Sequence, residues 1–300
     1  MTLLFAFILD AFVGYPAWLY TRIRHPVVWM GAGISLLEAN FNQSRFSETV
    51  RRVLGVVTMA ILLTATVAIA LLIQRLGLVV QVVAMASLLA SRSLYDHVHA
   101  VLVADSLEEA RQKVAHIVGR DVATLDEAGV CRAAIESLAE SFGDGVVAPF
   151  FWAGCLGLPG IACYKLINTA DSMIGHKDER YRAFGWAAAR LDDVANFIPA
   201  RLAGVLIALA SCSRDAWKIM WRDAGKHASP NAGWPESAMA GALGLQLGGA
   251  NSYDGVVHES AAMGDGTRMA TNVHLGQALR LYVVACITLT VAWLAIIFVL

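Results

Sequence analysis

Two stretches of this chain carry no charge at all: Val53–Ile73, 21 residues, and Leu281–Leu300, 20 residues. A helix needs about 20 apolar residues to cross the hydrocarbon core of a bilayer. Lipid offers no water to the backbone, so such segments must bond their own N–H and C=O groups. Both stretches are therefore helices, although their β-branched residues would favour strands in water. The composition agrees. Hydrophobic residues make up 57% of the 300 and charged residues only 16%, against about 25% charged in soluble domains. The sequence predicts an all-α, polytopic integral membrane protein, a single membrane-embedded domain over residues 1–300.

Five or six hydrophobic segments can be marked. The first, Leu3–Tyr20, is interrupted by Asp10, Gly14 and Pro16. It has no basic leader and no small-residue cleavage site, so it reads as a retained segment rather than a signal peptide. Val53–Ile73 and Leu76–Ala90, joined by Gln74-Arg75, read as a tight hairpin. The fourth segment, Val146–Ile167, has Gly157-Leu-Pro-Gly160 at its middle, and each half of about 11 residues is too short to span. It is read as a re-entrant hairpin. Val194–Cys212, with Pro199 and Arg201 inside it, and Leu281–Leu300 complete the set. Arg22, Arg24, Arg45, Arg51 and Arg52 crowd the loop 22–52, and that bias places it on the cytoplasmic side. Re-entrance of the fourth segment then leaves the polar segments 91–145 and 214–280 facing the cytoplasm too. In 91–145, Asp105 with Glu108 and Thr124 with Glu127 have capping-box spacing, opening two amphipathic helices, the second running to about Ser141. The segment 214–280 is Gly-rich and partly irregular.

Several function classes are excluded. The net charge of −1 gives no field for nucleic acid, and no basic stretch interleaves with aromatics. There is no P-loop, no nucleophile elbow and no zinc-protease motif. The five cysteines form no Cys-x-x-Cys pair and read as buried, reduced thiols.

The chemistry concentrates where acids meet apolar ground. Glu136 and Glu140, four apart, share a helix face, and Asp144 extends the row if the helix continues. Acids in a row repel unless a cation sits among them, and Mg²⁺ takes oxygen ligands and bridges to phosphates. The bland alternative is a solvated amphipathic face. Lys165, Asn168, Asp171 and Ser172 follow at the end of an apolar segment. Interfacial snorkelling accounts for Lys165 but poorly for Asp171. Next, Arg190, Asp192, Asp193, Asn196 and Arg201 enter the fifth segment. Adjacent aspartates again suggest a cation and the flanking arginines a phosphate or carboxylate, with an internal salt-bridge network as the alternative. His227, Ser229, Asn231 and Glu236, stiffened by Pro230 and Pro235, offer hydrogen bonds, as does His25 before Pro26. A surface loop could look the same. Asp10 reads as a cap or partner of a neighbouring helix, and His97 and His99 as structural.

These clusters resemble the signature blocks of the CobD/CbiB family, the adenosylcobinamide-phosphate synthases of cobalamin biosynthesis. The blocks are His25-Pro-Val-Val-Trp-Met-Gly31, Val118-Gly-Arg-Asp121, Glu136-Ser-Leu-Ala-Glu140 with Asp144-Gly-Val-Val-Ala-Pro149, Tyr164–Gly175, Ala189–Asn196 with Pro199-Ala-Arg-Leu202, Trp221-Arg-Asp223, His227-Ala-Ser-Pro-Asn231, Gly241–Gly244 and Leu247-Gly-Gly249. Ser141 departs from the family pattern and is left out of the site. The resemblance implies that aminopropanol or its O-phosphate is joined to a propionate of adenosylcobyric acid, using ATP and Mg²⁺ and passing through an acyl phosphate or acyl adenylate. It implies Glu136, Glu140, Asp144, Asp192 and Asp193 as metal ligands. Lys165, Asp171, Arg190 and His227 are then catalytic. His25, Asn168, Ser172, Asn196, Arg201, Ser229, Asn231 and Glu236 bind substrate. It further implies a multi-pass protein of the bacterial inner membrane, its site facing the cytoplasm, in contact with membrane lipid and gathered with other late cobalamin-pathway enzymes.

Three rival readings compete with this one. A polytopic prenyltransferase would hold Mg²⁺-diphosphate on Asp-rich helix ends, but Asn168 and Asp171 have the wrong spacing. A transporter tends to show internal repeats and paired broken helices, and only one interrupted segment is evident. A non-catalytic sensor or scaffold would have little use for so many acids and amides at membrane boundaries.

Overall fold

The computed structural model describes residues 1–253 and 256–299, without the side chains of 251–258. The chain packs as two compact units, one of residues 1–92 and 148–196, the other of 93–147 and 197–300. Asp254 and Gly255 of the polar segment 214–280, and Leu300 of the last apolar segment, lie outside the described residues.

The first unit begins with α1 (Thr2–Val13), α2 (Ala17–Ile23) and α3 (Pro26–Phe41). Gly14, at φ 64°, ends α1, as the sequence suggests. The arginine-rich stretch 22–52, read as a loop, is largely helical, because Pro26 supplies a pre-set N1 residue and the His25 ring accepts the Val27 N–H at 3.2 Å. Its arginines do more than mark a side of the membrane. Arg51 donates to Asn42 at 2.8 Å, and Arg52 lies over the Trp186 ring. α4 (Glu48–Gln74) covers the second apolar segment and α5 (Leu78–Ala86) most of the third. The chain breaks at residues 87–90 and re-enters helix as α6 (Ser91–Leu102). Asp10 has the partner expected of it. Buried in α1 and only 3% exposed, it accepts the Ser91 N–H at 2.7 Å and the Ser91 hydroxyl, capping α6.

α9 (Ala148–Ile174) breaks at Gly157, which has φ 66°, inside the predicted Gly-Leu-Pro-Gly motif. Residues eight apart in a straight helix stand about 12 Å apart. Here a Cβ on Gly160 would collide with the Trp152 carbonyl, so the chain doubles back within two turns. α10 (Trp186–Ala195) closes the unit. Its core sets Ile34, Met59, Leu166, Ile174 and Phe184 together. Lipid removes the hydrophobic drive between helices, so close approach through small residues matters more. Gly55 lies against the Phe184 carbonyl and Gly185 against that of Ile174, where no Cβ fits.

In the second unit, α7 (Leu107–Val114) and α8 (Glu127–Phe142) follow α6. Both caps fall elsewhere than the spacing predicts. Ser106 accepts from Glu109 N at 3.2 Å while Glu109 accepts from Asp105 N, and Asp126 accepts from Gly129 N. Ser and Asp one or two residues along reach the N3 amide from an extended backbone better than Asp105 or Thr124. A π-helical turn, Gly143–Val147, follows α8. α11 (Phe197–Ser211), α12 (Arg214–Asp223) and α13 (Gly233–Leu243) pack together, with a 3₁₀ turn at Ala224–Lys226. Four short strands then form two antiparallel pairs, Leu247–Gly248 with Ala262–Met263 and Asn251–Tyr253 with Val256–His258. They are the only strands among the described residues, and glycines 248, 249 and 264, all at positive φ, account for the tight path. α14 (Asn272–Val299) is the last apolar helix.

Four stretches are long and apolar enough to cross a membrane: Glu48–Gln74, Leu78–Leu102, Glu127–Ile174 and Asn272–Val299. The count rises to six if the bent pairs α1 with α2–α3, at 107°, and α10 with α11 are each one span. The protein is thus a polytopic all-α membrane protein. All five cysteines are free as expected, but only Cys131 is buried; Cys155 and Cys212 are exposed. An apolar bilayer-facing surface hosts a thiol without covering it with protein.

Gly160→Ala should lower stability by about 1–3 kcal/mol, the usual cost of overpacking. Gly225→Ala, with open space around it, should change it little. Thermal unfolding of both variants in detergent checks the difference.

Candidate functional site

The candidate residues separate into two polar centres, one in each unit. In the first unit, α9 and α10 present their acids and amides to one another. Asp192 is the hub. One carboxylate oxygen accepts from Asn196 at 3.0 Å and the other from Asn168 at 3.5 Å. Asn196, 1% exposed, in turn accepts the Tyr164 hydroxyl at 2.8 Å. Asp171 lies within electrostatic reach of both Asp192 and Asp193. Arg190 neutralises only Asp193, at 3.2 Å and largely in solvent, where such a pair contributes little. Ser172 donates back to the Asn168 carbonyl at 2.9 Å, which leaves its oxygen lone pairs available. Three carboxylates therefore stand close with few positive charges among them. Lys165 joins a different group, within electrostatic reach of Asp10 and His25.

In the second unit, Glu136 and Glu140 of α8 line a polar pocket of about 190 Å³ with His227, Glu236 and Arg120. Arg120 pairs with Glu136 at 2.6 Å, and the other Glu136 oxygen accepts the Gly248 N–H at 2.7 Å. Glu136 is thereby held in place. Glu140 opens onto the pocket with its side chain exposed. Glu236, 5% exposed, faces His227 Nε2 at 3.6 Å. Burial first, then the charges of Glu140 and Glu136, push the Glu236 carboxyl well above the usual carboxylate range. His227 Nδ1 accepts the Ser229 N–H at 2.9 Å. That contact assigns the neutral tautomer with its proton on Nε2, directed at Glu236. The Ser229 hydroxyl accepts the N–H groups of Asn231 and Ala232, fixing the entry to α13.

The acid row ends at Glu140. The π-turn changes the hydrogen-bond spacing after α8, and Asp144 is not among the residues lining the pocket. Arg201 is taken up by aromatic faces, 3.6 Å above Phe197 and 4.7 Å from Trp234. Among the described residues, no three His, Cys, Asp or Glu side chains converge as a pre-formed metal cage. Mg²⁺ does not require one, since it binds through one or two carboxylates plus waters and phosphate oxygens. The Asp171, Asp192 and Asp193 group fits that pattern, with oxygen donors in excess of cations. Glu136, committed to Arg120 and Gly248, fits it less well.

Sequence reasoning missed Arg120 and Asp223. The first lay inside a quoted motif, Val118-Gly-Arg-Asp121, whose arginine had no visible partner until Glu136 was brought across. Asp223, 0% exposed, accepts from Arg222 at 2.6 Å, Lys226 at 2.6 Å and Gly264 N at 2.8 Å. Those hydrogen bonds hold its carboxyl far below the ordinary range. It ties α12 to the strand segment behind the pocket.

Residues 3–282 match the family model described as "CobD/Cbib protein". The chain is 44% identical over 313 residues to the cobalamin biosynthesis protein CobD of Rhizobium meliloti (strain 1021), covering 98% of this chain and 96% of that protein. It is 51% identical over 262 residues to the protein of that name from Rhodobacter capsulatus (84% and 82% covered) and 52% identical over 265 residues to that of Brucella suis biovar 1 (83% and 81% covered). No solved structure matches.

The Glu236 shift sets a pH dependence. A carboxyl whose folded value is raised stabilises the fold fully below its unfolded value, about 4.3, and that stability is lost as pH rises through the folded value. The thermal midpoint in detergent should therefore fall as pH climbs from about 4.3 toward neutrality. In Glu236→Gln this slope should flatten, with the midpoint at neutral pH above that of the unaltered protein.

Proposed function

Because the chain belongs to the CobD/CbiB family, we propose that it performs the amide-forming step of cobalamin biosynthesis. A propionate carboxylate of adenosylcobyric acid is joined to aminopropanol or its O-phosphate, at the expense of ATP. The observation that carries this reading is the family match along nearly the whole chain, with a polar pocket lined by Glu136 and Glu140 of one of its blocks.

The pocket suits the amine. At about 190 Å³ it is smaller than the roughly 300–1,000 Å³ of sites that enclose drug-sized ligands. That is the scale of an amino alcohol, not of a nucleotide or a corrinoid. Its carboxylates attract an ammonium group. A carboxylate does not condense with an amine in water at a useful rate, so it is first activated by ATP. The ammonium group first gives up one proton to free its lone pair; the amine nitrogen then attacks the activated carbonyl carbon, the C–N bond forms, the activating group leaves with its bonding electrons, and the nitrogen sheds its second proton. Glu140, open to the pocket, is placed to take that proton. His227 carries its own proton on the pocket-facing nitrogen in the tautomer that Ser229 fixes, so it acts as donor and positioner. Glu136, locked by Arg120 and Gly248, shapes the wall.

In the first unit, Asp171, Asp192 and Asp193 would hold Mg²⁺, which would shield the charge of the triphosphate. Asn168 and Asn196 orient Asp192, and Arg190, exposed beside Asp193, meets phosphate oxygens.

The purified protein, given adenosylcobyric acid, ATP, Mg²⁺ and either phosphorylated or free aminopropanol, should yield the amide by mass spectrometry. No amide from folded protein with either amine would overturn the proposal. Glu140→Gln should lower kcat by about 10²–10⁴, the usual contribution of a general base. Asp192→Ala should instead raise the Mg²⁺ concentration needed for half-maximal turnover, and an unchanged Mg²⁺ dependence would remove the first-unit acids from the metal site.

A further inference from the structure

The first unit holds a second cavity of quite different character, about 500 Å³ and lined almost wholly by apolar side chains. Its walls come from α2 and α3 on one side and from α4, α5 and α9 on the other. Leu62, Ile69, Ile73 and Val83 line its apolar body. None of the acids or amides assigned above borders it.

One end differs. Tyr15 and Ser87 reach the lining there, and the His25 ring packs on Tyr15 at 4.5 Å. The Tyr15 hydroxyl donates to the Arg24 carbonyl at 2.7 Å, so the backbone of Arg24 is fixed at the rim. Arg24 holds φ 60°, a conformation that side-chain-bearing residues avoid and that persists only where the surroundings impose it. Arg22 flanks the lining residue Ile23 from the other side and lies 5.8 Å from the Trp18 ring. Both arginines are exposed, and neither has an ion pair among the described residues. Trp18, Tyr20 and Trp29 beside them are exposed too, as aromatic residues are at the headgroup level of a bilayer.

An apolar slot flanked at its lining residue Ile23 by two exposed arginines without ion pairs among the described residues, and by exposed aromatic rings, matches an amphiphile with an anionic head. We propose that this cavity binds an anionic phospholipid of the surrounding membrane. One acyl chain lies between α2–α3 and α4–α5, and the headgroup phosphate meets Arg22 and Arg24. Arginine recognises phosphate oxygens through paired N–H donors, and basic pockets beside membrane helices select anionic headgroups in this way.

The test uses the full chain in nanodiscs of phosphatidylcholine with and without phosphatidylglycerol, followed by native mass spectrometry of the lipid retained after extraction. Phosphatidylglycerol should be retained in preference to phosphatidylcholine. Arg22→Gln with Arg24→Gln should weaken that preference by about fivefold for each arginine removed and leave phosphatidylcholine retention unchanged. These side chains are exposed, so the variant keeps its packing. Ala65→Trp, which fills the cavity from α4, should abolish retention of both lipids while thermal unfolding stays cooperative. Equal retention of the two lipids would overturn the proposal, as would an arginine variant that still selects phosphatidylglycerol. Retention of a ligand that is not a phospholipid would also overturn it.

Discussion

A carboxylate carried into an apolar helix bundle must find hydrogen-bond donors or a cation, because the cost of leaving it unpartnered exceeds that of most packing defects. Much of this protein is arranged around that requirement. Asp10 is satisfied by the helix it caps, and the α1–α6 connection follows from it. Glu38, also buried, takes both Arg180, at 3.1 Å, and Asn42, at 3.0 Å. Asp223 takes three partners and binds the strand segment to α12. Each acid has at least one partner far away in sequence, Ser91 for Asp10, Arg180 for Glu38 and the Gly264 N–H for Asp223, and that bond doubles as a tertiary lock.

The acids proposed to act on substrate are the ones left less compensated. Asp192 has amides but no ion pair among the described residues, and Glu140 opens to the pocket. Glu236 is buried among like charges, with a histidine at 3.6 Å and Arg120, already paired to Glu136, as its positive neighbours. Structural acids are neutralised from within the chain, whereas the candidate catalytic acids keep capacity for an ammonium group or a metal ion. A perturbed carboxyl lining a cleft is the pattern expected of a working site.

The apolar surroundings impose a second discipline. Chain segments approach closely through glycine at Gly55, Gly160 and Gly185, where a carbonyl occupies the place of a side chain. The cavity beside α2 and α3 is lined almost wholly by apolar side chains. The slot beside α2 and α3 is best understood in that light, since its one polar end is basic while the centres of chemistry are acidic.

The sequence by itself determined the fold class, the approximate place of the long apolar helices, the break at Gly157 and the family. Each follows from local composition or from a run of residues, and lipid makes uncharged runs unambiguous. It also determined which residues are chemically equipped, because acids at the ends of apolar segments stand out. Only the tertiary structure decided how those residues are grouped. Asp192 joins Asn168 and Asn196, while Glu140 joins Glu236 and His227, and no spacing along the chain distinguishes these sets. The structure also decided which acids are structural, since Glu136 and Glu140 look alike in sequence and differ only because Arg120 and Gly248 reach one of them. The capping residues Ser106 and Asp126 were missed for a related reason. Several oxygens near a helix start have the right spacing, and the backbone conformation selects among them.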